Sequence, residues 1–167
     1  MSDKQETCGL QIEFCRARVV VGVLAALGAA SHAADAGELG VLAGSGKGYH
    51  SLALSYQTAP VWQGQVVDHP LEVSLEYSLG QVRAPSGQST RDLLRVGVTP
   101  FARWWFSSNS GIELGVGADV FSGTRVGDKD ISTALQFGSS IGVLHRLRST
   151  SWLIGVRLTH YSNAGIK

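Results

Sequence analysis

Apolar and polar residues alternate strictly along several stretches of this chain, and this pattern constrains the fold more than any other feature. In LEVSLEYSL, residues 71–79, every odd-numbered residue is apolar or aromatic and every even-numbered residue is Glu or Ser. GIELGVGADV, residues 111–120, repeats the pattern. Successive side chains of a strand point to opposite faces, so this alternation predicts β-strands with one apolar face.

Seven such segments follow one another, separated by turn-forming stretches such as GSGKG, APSGQST, SSNS and LRST. The predicted strands are Glu38–Gly44, Tyr49–Tyr56, Leu71–Gly80, Leu93–Trp105, Gly111–Phe121, Ala134–Arg146 and Ser151–Ser162. No segment with a helical period competes with them. The connection APVWQGQVVDHP, between the second and third predicted strands, is longer than a short turn. The pattern predicts an all-β, antiparallel fold.

Two architectures share this alternation, and the polar faces distinguish them. In a soluble sandwich the apolar face forms the core, whereas in a transmembrane barrel it meets lipid and the other face lines the interior. Small residues on the non-apolar faces suit a narrow barrel interior: Gly115, Gly117, Gly138, Ser140 and Gly142. Aromatic residues near strand ends suit the membrane interfaces: Tyr56, Trp62, Trp104, Trp105, Trp152 and Tyr161. We predict an outer-membrane β-barrel, with a secreted sandwich as the alternative.

Residues 1–33 are predicted to form a signal peptide. Two arginines precede the apolar run Val19–Ala30, and small residues at the −3 and −1 positions favour cleavage after Ala33. The alternative is a membrane anchor, but the twelve residues of this run are too few to cross about 30 Å of hydrocarbon as a helix. Both cysteines precede the run, so the barrel predicted for residues 34–167 contains no disulfide.

The strand count predicts a further strand. Closed bacterial barrels have an even number of strands, of which eight is the smallest. An unpaired edge would expose backbone groups to lipid at a cost of about several kcal/mol each. We therefore expect an eight-stranded antiparallel transmembrane barrel, of which seven strands are present, with the eighth beyond Lys167.

Charge and motifs exclude several functions. The chain carries 14 Lys and Arg against 13 Asp and Glu, without the basic excess that nucleic-acid binding requires. GSGKG departs from the phosphate-binding P-loop, and no group of His, Cys and Asp has zinc-ligand spacing. We predict no nucleic-acid partner, no metal and no cofactor.

The last predicted strand carries a histidine and a serine on its apolar face. His160 and Ser162 follow Trp152, Ile154, Val156 and Leu158 in the same alternating series. They are therefore predicted to lie on the outside of the barrel, at the level of the outer leaflet. Arg157 belongs to the opposite series and is predicted to lie inside, beside one or more interior acids: Glu72, Glu76, Glu113 or Asp119.

A histidine and a serine on one strand face can act as base and nucleophile. The alternative is two polar residues that are wetted at a strand end. Asn163 could donate to a developing oxyanion, provided that the chain bends, because the period alone places it on the opposite face. Phe137 is predicted to face outward near His160 and contact an acyl chain, or to be a simple lipid-facing aromatic.

A Ser–His pair also needs an acid that orients the histidine. Asp128 and Asp130, in a predicted outer loop, are the only candidates within the chain. A simpler account places the acid on the eighth strand, directly beside the strand that carries His160.

Three stretches resemble one protein family. FSGTRVGD at Phe121–Asp128, LQF with Phe137, and HYSNAGIK at His160–Lys167 are similar to the outer-membrane lipid A 3-O-deacylases, the PagL family. The resemblance implies an eight-stranded barrel of the bacterial outer membrane that hydrolyses the ester-linked acyl chain at position 3 of lipid A. Its partner is then the lipid A of lipopolysaccharide, and the barrel could act alone or as a homodimer.

The resemblance also implies roles for individual residues. His160 is then the base, Ser162 the nucleophile and Asn163 an oxyanion donor, and Phe137 occupies the position of an aromatic associated with activity. The Glu that completes the family's triad falls beyond Lys167. The alternatives are an outer-membrane phospholipase and a non-catalytic structural barrel.

Overall fold

The computed structural model describes residues 23–26, 37–46, 48–85, 87, 92–148 and 152–165. Its elements are β1 (Val23–Ala26), β2 (Glu38–Gly46), β3 (Tyr49–Gln57), β4 (Trp62–Val66), β5 (His69–Arg83), β6 (Leu93–Trp104), β7 (Ser110–Phe121), β8 (Arg125–Val126), β9 (Lys129–Asp130), β10 (Leu135–Arg146) and β11 (Leu153–Ser162). In this part of the chain no helix is long and apolar enough to cross a membrane.

Nine of the described strands form one antiparallel sheet that curls on itself. Its order is β1-β2-β3-β5-β6-β7-β10-β11, β4 pairs with β5, and β8 and β9 form a separate hairpin. β1 also lies against β11, so the two ends of the sheet approach each other. The predicted all-β antiparallel barrel fold is confirmed. We call the end that carries the β8–β9 hairpin the loop end, and the end that carries the turn Val67–Asp68 the turn end.

β1 lies inside the segment predicted to be a signal peptide. Its backbone pairs with β2 from Val23 opposite Ala43 to Ala26 opposite Gly40. Both cysteines and the cleavage site predicted after Ala33 lie outside the described residues. Export and removal of residues 1–33 stay predictions.

β4 accounts for the long connection that the sequence pattern left unassigned. β3 pairs with the second half of β5, and β4 pairs with its first half, from Trp62 opposite Val73 to Val66 opposite His69. The link between β4 and β5 is therefore the two-residue turn Val67–Asp68, in which both residues have positive φ, 51° and 59°. Positive φ at both central residues is the geometry of the type I′ hairpin turn. The long connection therefore contains a short strand, β4, that is followed by a tight turn.

The distribution of side chains is that of a membrane barrel. Large apolar residues point outward and are exposed, for example Leu52 at 60%, Leu54 at 64% and Val116 at 64%. Polar and charged residues are buried inside: Ser55, Gln57, Ser74, Glu76, Ser78, Arg103, Glu113, Asp119 and Gln136. This arrangement is the reverse of a soluble sandwich, in which the apolar face forms the core.

A network of ion pairs fills the interior. Arg157 donates to Glu76 at 2.8 and 3.0 Å and to Glu113 at 2.7 Å. Arg103 donates to Glu113 at 3.2 Å and to Glu38 at 2.9 Å. The predicted interior position of Arg157 is confirmed, with Glu76 and Glu113 as partners. Buried charges are tolerated when they are paired and hydrogen-bonded in this way.

Two aromatics predicted for the membrane interfaces point into the barrel instead. Trp105 is 4% exposed and donates through Nε1 to Glu72 at 3.0 Å. Tyr161 contacts Arg95 inside the barrel. The prediction was wrong for these two because their indole nitrogen and hydroxyl bond to interior charged groups. Tyr56 and Trp62 are exposed, at 45% and 53%.

Candidate active site

β11 ends at the loop end with His160 and Ser162 on its outward face. Both residues are exposed, whereas Thr159 and Tyr161, which alternate with them, are half-buried on the inward face. The antiparallel register with β10 places His160 opposite Ser139 and Ser162 opposite Phe137. The predicted outward placement of the histidine and the serine agrees with this exposure.

His160 and Ser162 are neighbours on one strand face. Residues two apart on a strand are separated by about 6.6 Å along its axis, and the long histidine side chain can reach across much of that distance. Among the described residues, neither side chain is hydrogen-bonded to the other or to a carboxylate. In structures without substrate, catalytic hydrogen bonds are often long and tighten only in the reacting complex.

The strand register gives the direct neighbour of Phe137. We predicted Phe137 near His160, and its partner across the sheet is Ser162, two residues from His160. It alternates with the buried Gln136 and Gly138, so its side chain belongs to the outward series with the exposed Leu135 and Ser139. An aromatic ring beside the serine suits contact with an apolar chain whose carbonyl lies at Ser162.

Sequence reasoning missed Ser139, an exposed residue that lies directly opposite His160. The alternation along β10 could have placed it on the outward face. Its pairing with His160 depends on the register between two strands, and the turn sequence LRST alone did not specify that register.

Asn163 follows directly after the last residue of β11. Its side-chain Oδ1 accepts a hydrogen bond from the backbone N–H of Gly165 at 3.1 Å, and Gly165 has a positive φ of 77°. The chain therefore bends immediately after Ser162, as a role for Asn163 beside Ser162 requires. The bond at Oδ1 also holds the amide group in a defined orientation.

A cavity of about 300 Å³ opens at this end of the barrel, and His160, Ser162 and Asn163 all border it. Its other walls are residues of the barrel mouth, including Tyr49, Gln136 and Tyr161, and residues of the β8–β9 hairpin, including Asp130. The candidate residues therefore lie where the outward face of β11 meets the mouth of the barrel.

Most of the described carboxylates have identified partners other than His160. Asp130 accepts from the backbone N–H of Ser132 at 2.7 Å and pairs with Arg125 at 3.5 Å. The interior acids are occupied by Arg103, Arg157, Arg95 and Trp105. None of the carboxylates within the described ranges is hydrogen-bonded to His160. In the same ranges no group of three or more His, Cys, Asp or Glu residues could hold a metal ion.

Comparisons with known proteins give a consistent result. A family model described as Lipid A 3-O-deacylase (PagL) matches residues 48–167, which include Phe137, His160, Ser162 and Asn163. The chain is 37% identical over 126 residues to the lipid A deacylase PagL of Bordetella bronchiseptica, covering 74% of this chain and 70% of that protein. It is 46% identical over 56 residues to the lipid A deacylase PagL of Pseudomonas aeruginosa, covering 34% of this chain and 32% of that protein.

A solved structure gives the same fold. The crystal structure of the outer membrane enzyme PagL matches with a TM-score of 0.60 at 24% sequence identity, over 89% of this chain and 87% of that one. At this identity the likeness concerns the fold.

Proposed function

The chain belongs to the lipid A 3-O-deacylase (PagL) family, and we propose that it removes the ester-linked acyl chain at position 3 of lipid A in the bacterial outer membrane. The family is one of carboxylic ester hydrolases. The observation that carries the proposal for this chain is the exposed pair His160 and Ser162 on the outward face of β11. A lipid-facing nucleophile meets its substrate in the plane of the membrane.

In the first step, Ser162 Oγ attacks the ester carbonyl carbon while His160 takes the hydroxyl proton. The negative charge that develops on the carbonyl oxygen is stabilised by the side-chain N–H group of Asn163. The tetrahedral intermediate then collapses, and the bond between the carbonyl carbon and the sugar oxygen breaks. His160 returns the proton to that oxygen, which leaves an acyl chain on Ser162.

In the second step, a water molecule attacks the acyl-enzyme with His160 again as base. The products are the free fatty acid and regenerated Ser162. Phe137, directly opposite Ser162 in the sheet, contacts the acyl chain next to its carbonyl.

The proposed mechanism also needs an acid that orients His160. A carboxylate that accepts from His160 would fix the imidazole tautomer and stabilise the imidazolium. No carboxylate in the described ranges is hydrogen-bonded to His160, and we propose that this acid lies on the strand that completes the barrel beside β11. β1 runs antiparallel to β2 and lies against β11, which is the place that such a strand would take.

Export by residues 1–33 is part of the same proposal. Cleavage after Ala33 would remove β1 and leave the edge of β2 to the eighth strand. Amino-terminal sequencing of the protein recovered from outer membranes should then give a sequence that begins at Ala34. A sequence that begins upstream of Val23 would contradict the predicted signal peptide.

The direct test is mass spectrometry of lipid A from a Gram-negative host that expresses the protein. The wild-type protein should remove one hydroxyacyl chain, and Ser162→Ala should reduce turnover by about 10⁴-fold or more. Ser108→Ala, an exposed serine at the turn end, is the matched control and should keep full activity.

Each outcome is informative once the folded barrel has been verified in the membrane. Unchanged lipid A with the wild-type protein would rule out the deacylase and leave phospholipid hydrolysis or a structural role to be tested. Full activity of Ser162→Ala would rule out Ser162 as the nucleophile.

A further inference from the structure

Tyr161, the residue between His160 and Ser162, is held from inside the barrel. Its hydroxyl accepts a hydrogen bond from Arg95 Nη1, and the same nitrogen donates to Asp119 Oδ1 at 2.9 Å. Arg95 lies on β6 and Asp119 on β7, so these contacts join β11 to strands on the far side of β10. Within the described part of β11, the inward residue nearest the catalytic end is therefore tied across the interior.

The surroundings of Tyr161 leave room for this contact. Gly138 is opposite Tyr161 in the sheet, and a Cβ there would lie 3.2 Å from the Tyr161 ring and 3.1 Å from Asp119 Oδ2. A Cβ at Gly97 would overlap Asp119 Oδ1. The Phe121 ring packs edge-on against Tyr161, with centroids 5.7 Å apart. Glycines and an aromatic thus shape a site that fits this tyrosine and its partners.

We propose that Tyr161, anchored by Arg95 and Asp119, is a positioning residue that fixes the orientation of His160 and Ser162. The inference rests on the proposed function of that pair. Adjacent residues on a strand point to opposite faces, so the rotation of the backbone at Tyr161 sets the direction of both flanking side chains. The hydroxyl contact restrains that rotation from the interior.

The need for such an anchor follows from the position of the site. β11 ends at Ser162, and at this level its pairing with β10 has reached its last residue pair, Phe137 with Ser162. Strand ends fray, whereas a displacement of about 1 Å in a catalytic group can cost about 10²-fold in rate. The neighbouring inward residue Thr159 is bonded to Ser140 at 2.9 Å, but that bond reaches only the adjacent strand. Tyr161 supplies the long-range restraint.

The test is Tyr161→Phe, which keeps the ring that packs on Phe121 and removes only the hydroxyl. We expect kcat to fall by about tenfold or more, with KM within about twofold of wild type because the hydroxyl does not touch substrate. Labelling of Ser162 by a lipid fluorophosphonate should slow in the same proportion. Asp119→Asn should act through the same chain of contacts, so the double variant should be no slower than the slower single variant.

The matched control is Glu38→Gln, which breaks the ion pair with Arg103 in the same interior but at the turn end. It should leave kcat and the labelling rate unchanged, even where the barrel melts earlier. A kcat loss in Glu38→Gln as large as that in Tyr161→Phe would show a general stability effect and overturn the proposal.

Ser162→Ala, run in the same assay, separates this inference from the proposed function. If Ser162→Ala is inactive while Tyr161→Phe has wild-type kcat and labelling rate, the anchor is wrong and the deacylase proposal stands. If Ser162→Ala is fully active, the proposed function fails. Should Tyr161→Phe not fold, Arg95→Lys keeps a positive charge beside Asp119 but shortens the reach to the hydroxyl. Arg95→Lys should show the same loss of kcat, and wild-type kcat in a folded Arg95→Lys would overturn the anchor.

Discussion

Residues on the two faces of β11 lie in opposite environments. His160 and Ser162 are exposed on the outer face, whereas Arg157, three and five residues earlier in the strand, bonds to interior carboxylates. Polar groups facing lipid are costly at the middle of the bilayer and least costly near its interfaces. The proposed catalytic pair lies at the end of a strand and would therefore face the membrane near its interface, where polar groups cost least.

The contribution of Asn163 can be separated from its role in the turn. Asn163→Asp keeps an oxygen that can accept from the Gly165 N–H, but it removes the side-chain N–H donor. We expect both Asn163→Asp and Asn163→Ala to lower kcat for lipid A by about 10²–10³-fold, the usual cost of removing one oxyanion donor. If Asn163→Asp keeps wild-type kcat while Asn163→Ala does not, Asn163 shapes the turn and does not stabilise the oxyanion.

Phe137 should matter through its apolar contact with the acyl chain. Phe137→Ala should raise KM or lower kcat/KM by about tenfold, since it removes an aromatic surface beside Ser162, and Phe137→Leu should recover much of the loss. Ile141→Ala is the control, because Ile141 lies on the same face of β10 but opposite Leu158. Equal effects of Phe137→Ala and Ile141→Ala on lipid A turnover would contradict a specific contact at Ser162.

The alternation of apolar and polar residues was sufficient to predict the face of the sheet on which each side chain lies. It was not sufficient to predict which residues of the adjacent strand lie beside it. It placed His160, Ser162 and Phe137 outside and Arg157 inside, because alternation depends only on the backbone of one strand. It could not show that Ser162 is the direct partner of Phe137, because register depends on the turn and on cross-strand packing. The contact between Tyr161 and Arg95 could not be predicted in this way, since the two residues are 66 positions apart in the sequence.

At the scale of elements, β4 shows where pattern reading failed. Its sequence, WQGQV, is too short and too polar to stand out as an alternating segment. Only its pairing with the first half of β5 defines it as a strand. The turn that follows has no Asn or Gly, the residues that type I′ turns favour, so its tightness could not be seen in VVDHP.

That turn offers a stabilising substitution. Val67 has a φ of 51°, a conformation that β-branched residues adopt at a cost, and at 78% exposure it contributes little burial. Replacing Val67–Asp68 by Asn–Gly should raise the free energy of unfolding by about 1 kcal/mol, measured by urea denaturation in lipid vesicles. Lipid A turnover should not change, because the turn is at the end opposite to the site. A lower free energy of unfolding would contradict the assigned turn type.

At the scale of the whole molecule, stability has to come from the interior and from lipid contact together. The outer face is apolar and its burial depends on the bilayer, whereas the interior holds charged side chains that lie within hydrogen-bond distance of one another. Arg157 also stacks on Phe101, with its guanidinium carbon 4.0 Å from the ring centroid. Such an interior is sensitive to substitution, because removing one charge leaves its partner buried without compensation.

Glu113 is the residue on which this interior depends most. Its side chain is 1% exposed and accepts from both Arg103 Nε at 3.2 Å and Arg157 Nε at 2.7 Å. Glu113→Gln should leave two buried guanidinium groups under-compensated and lower the free energy of unfolding by about 3–5 kcal/mol, measured in lipid vesicles. Asp92→Asn is the control: the Arg83–Asp92 pair has side chains 66% and 46% exposed, and surface pairs contribute only about 0–1 kcal/mol. Similar losses in the two variants would mean that the interior charges are solvated as the surface ones are, and that the barrel is held together by its backbone pairing and its lipid-facing side chains instead.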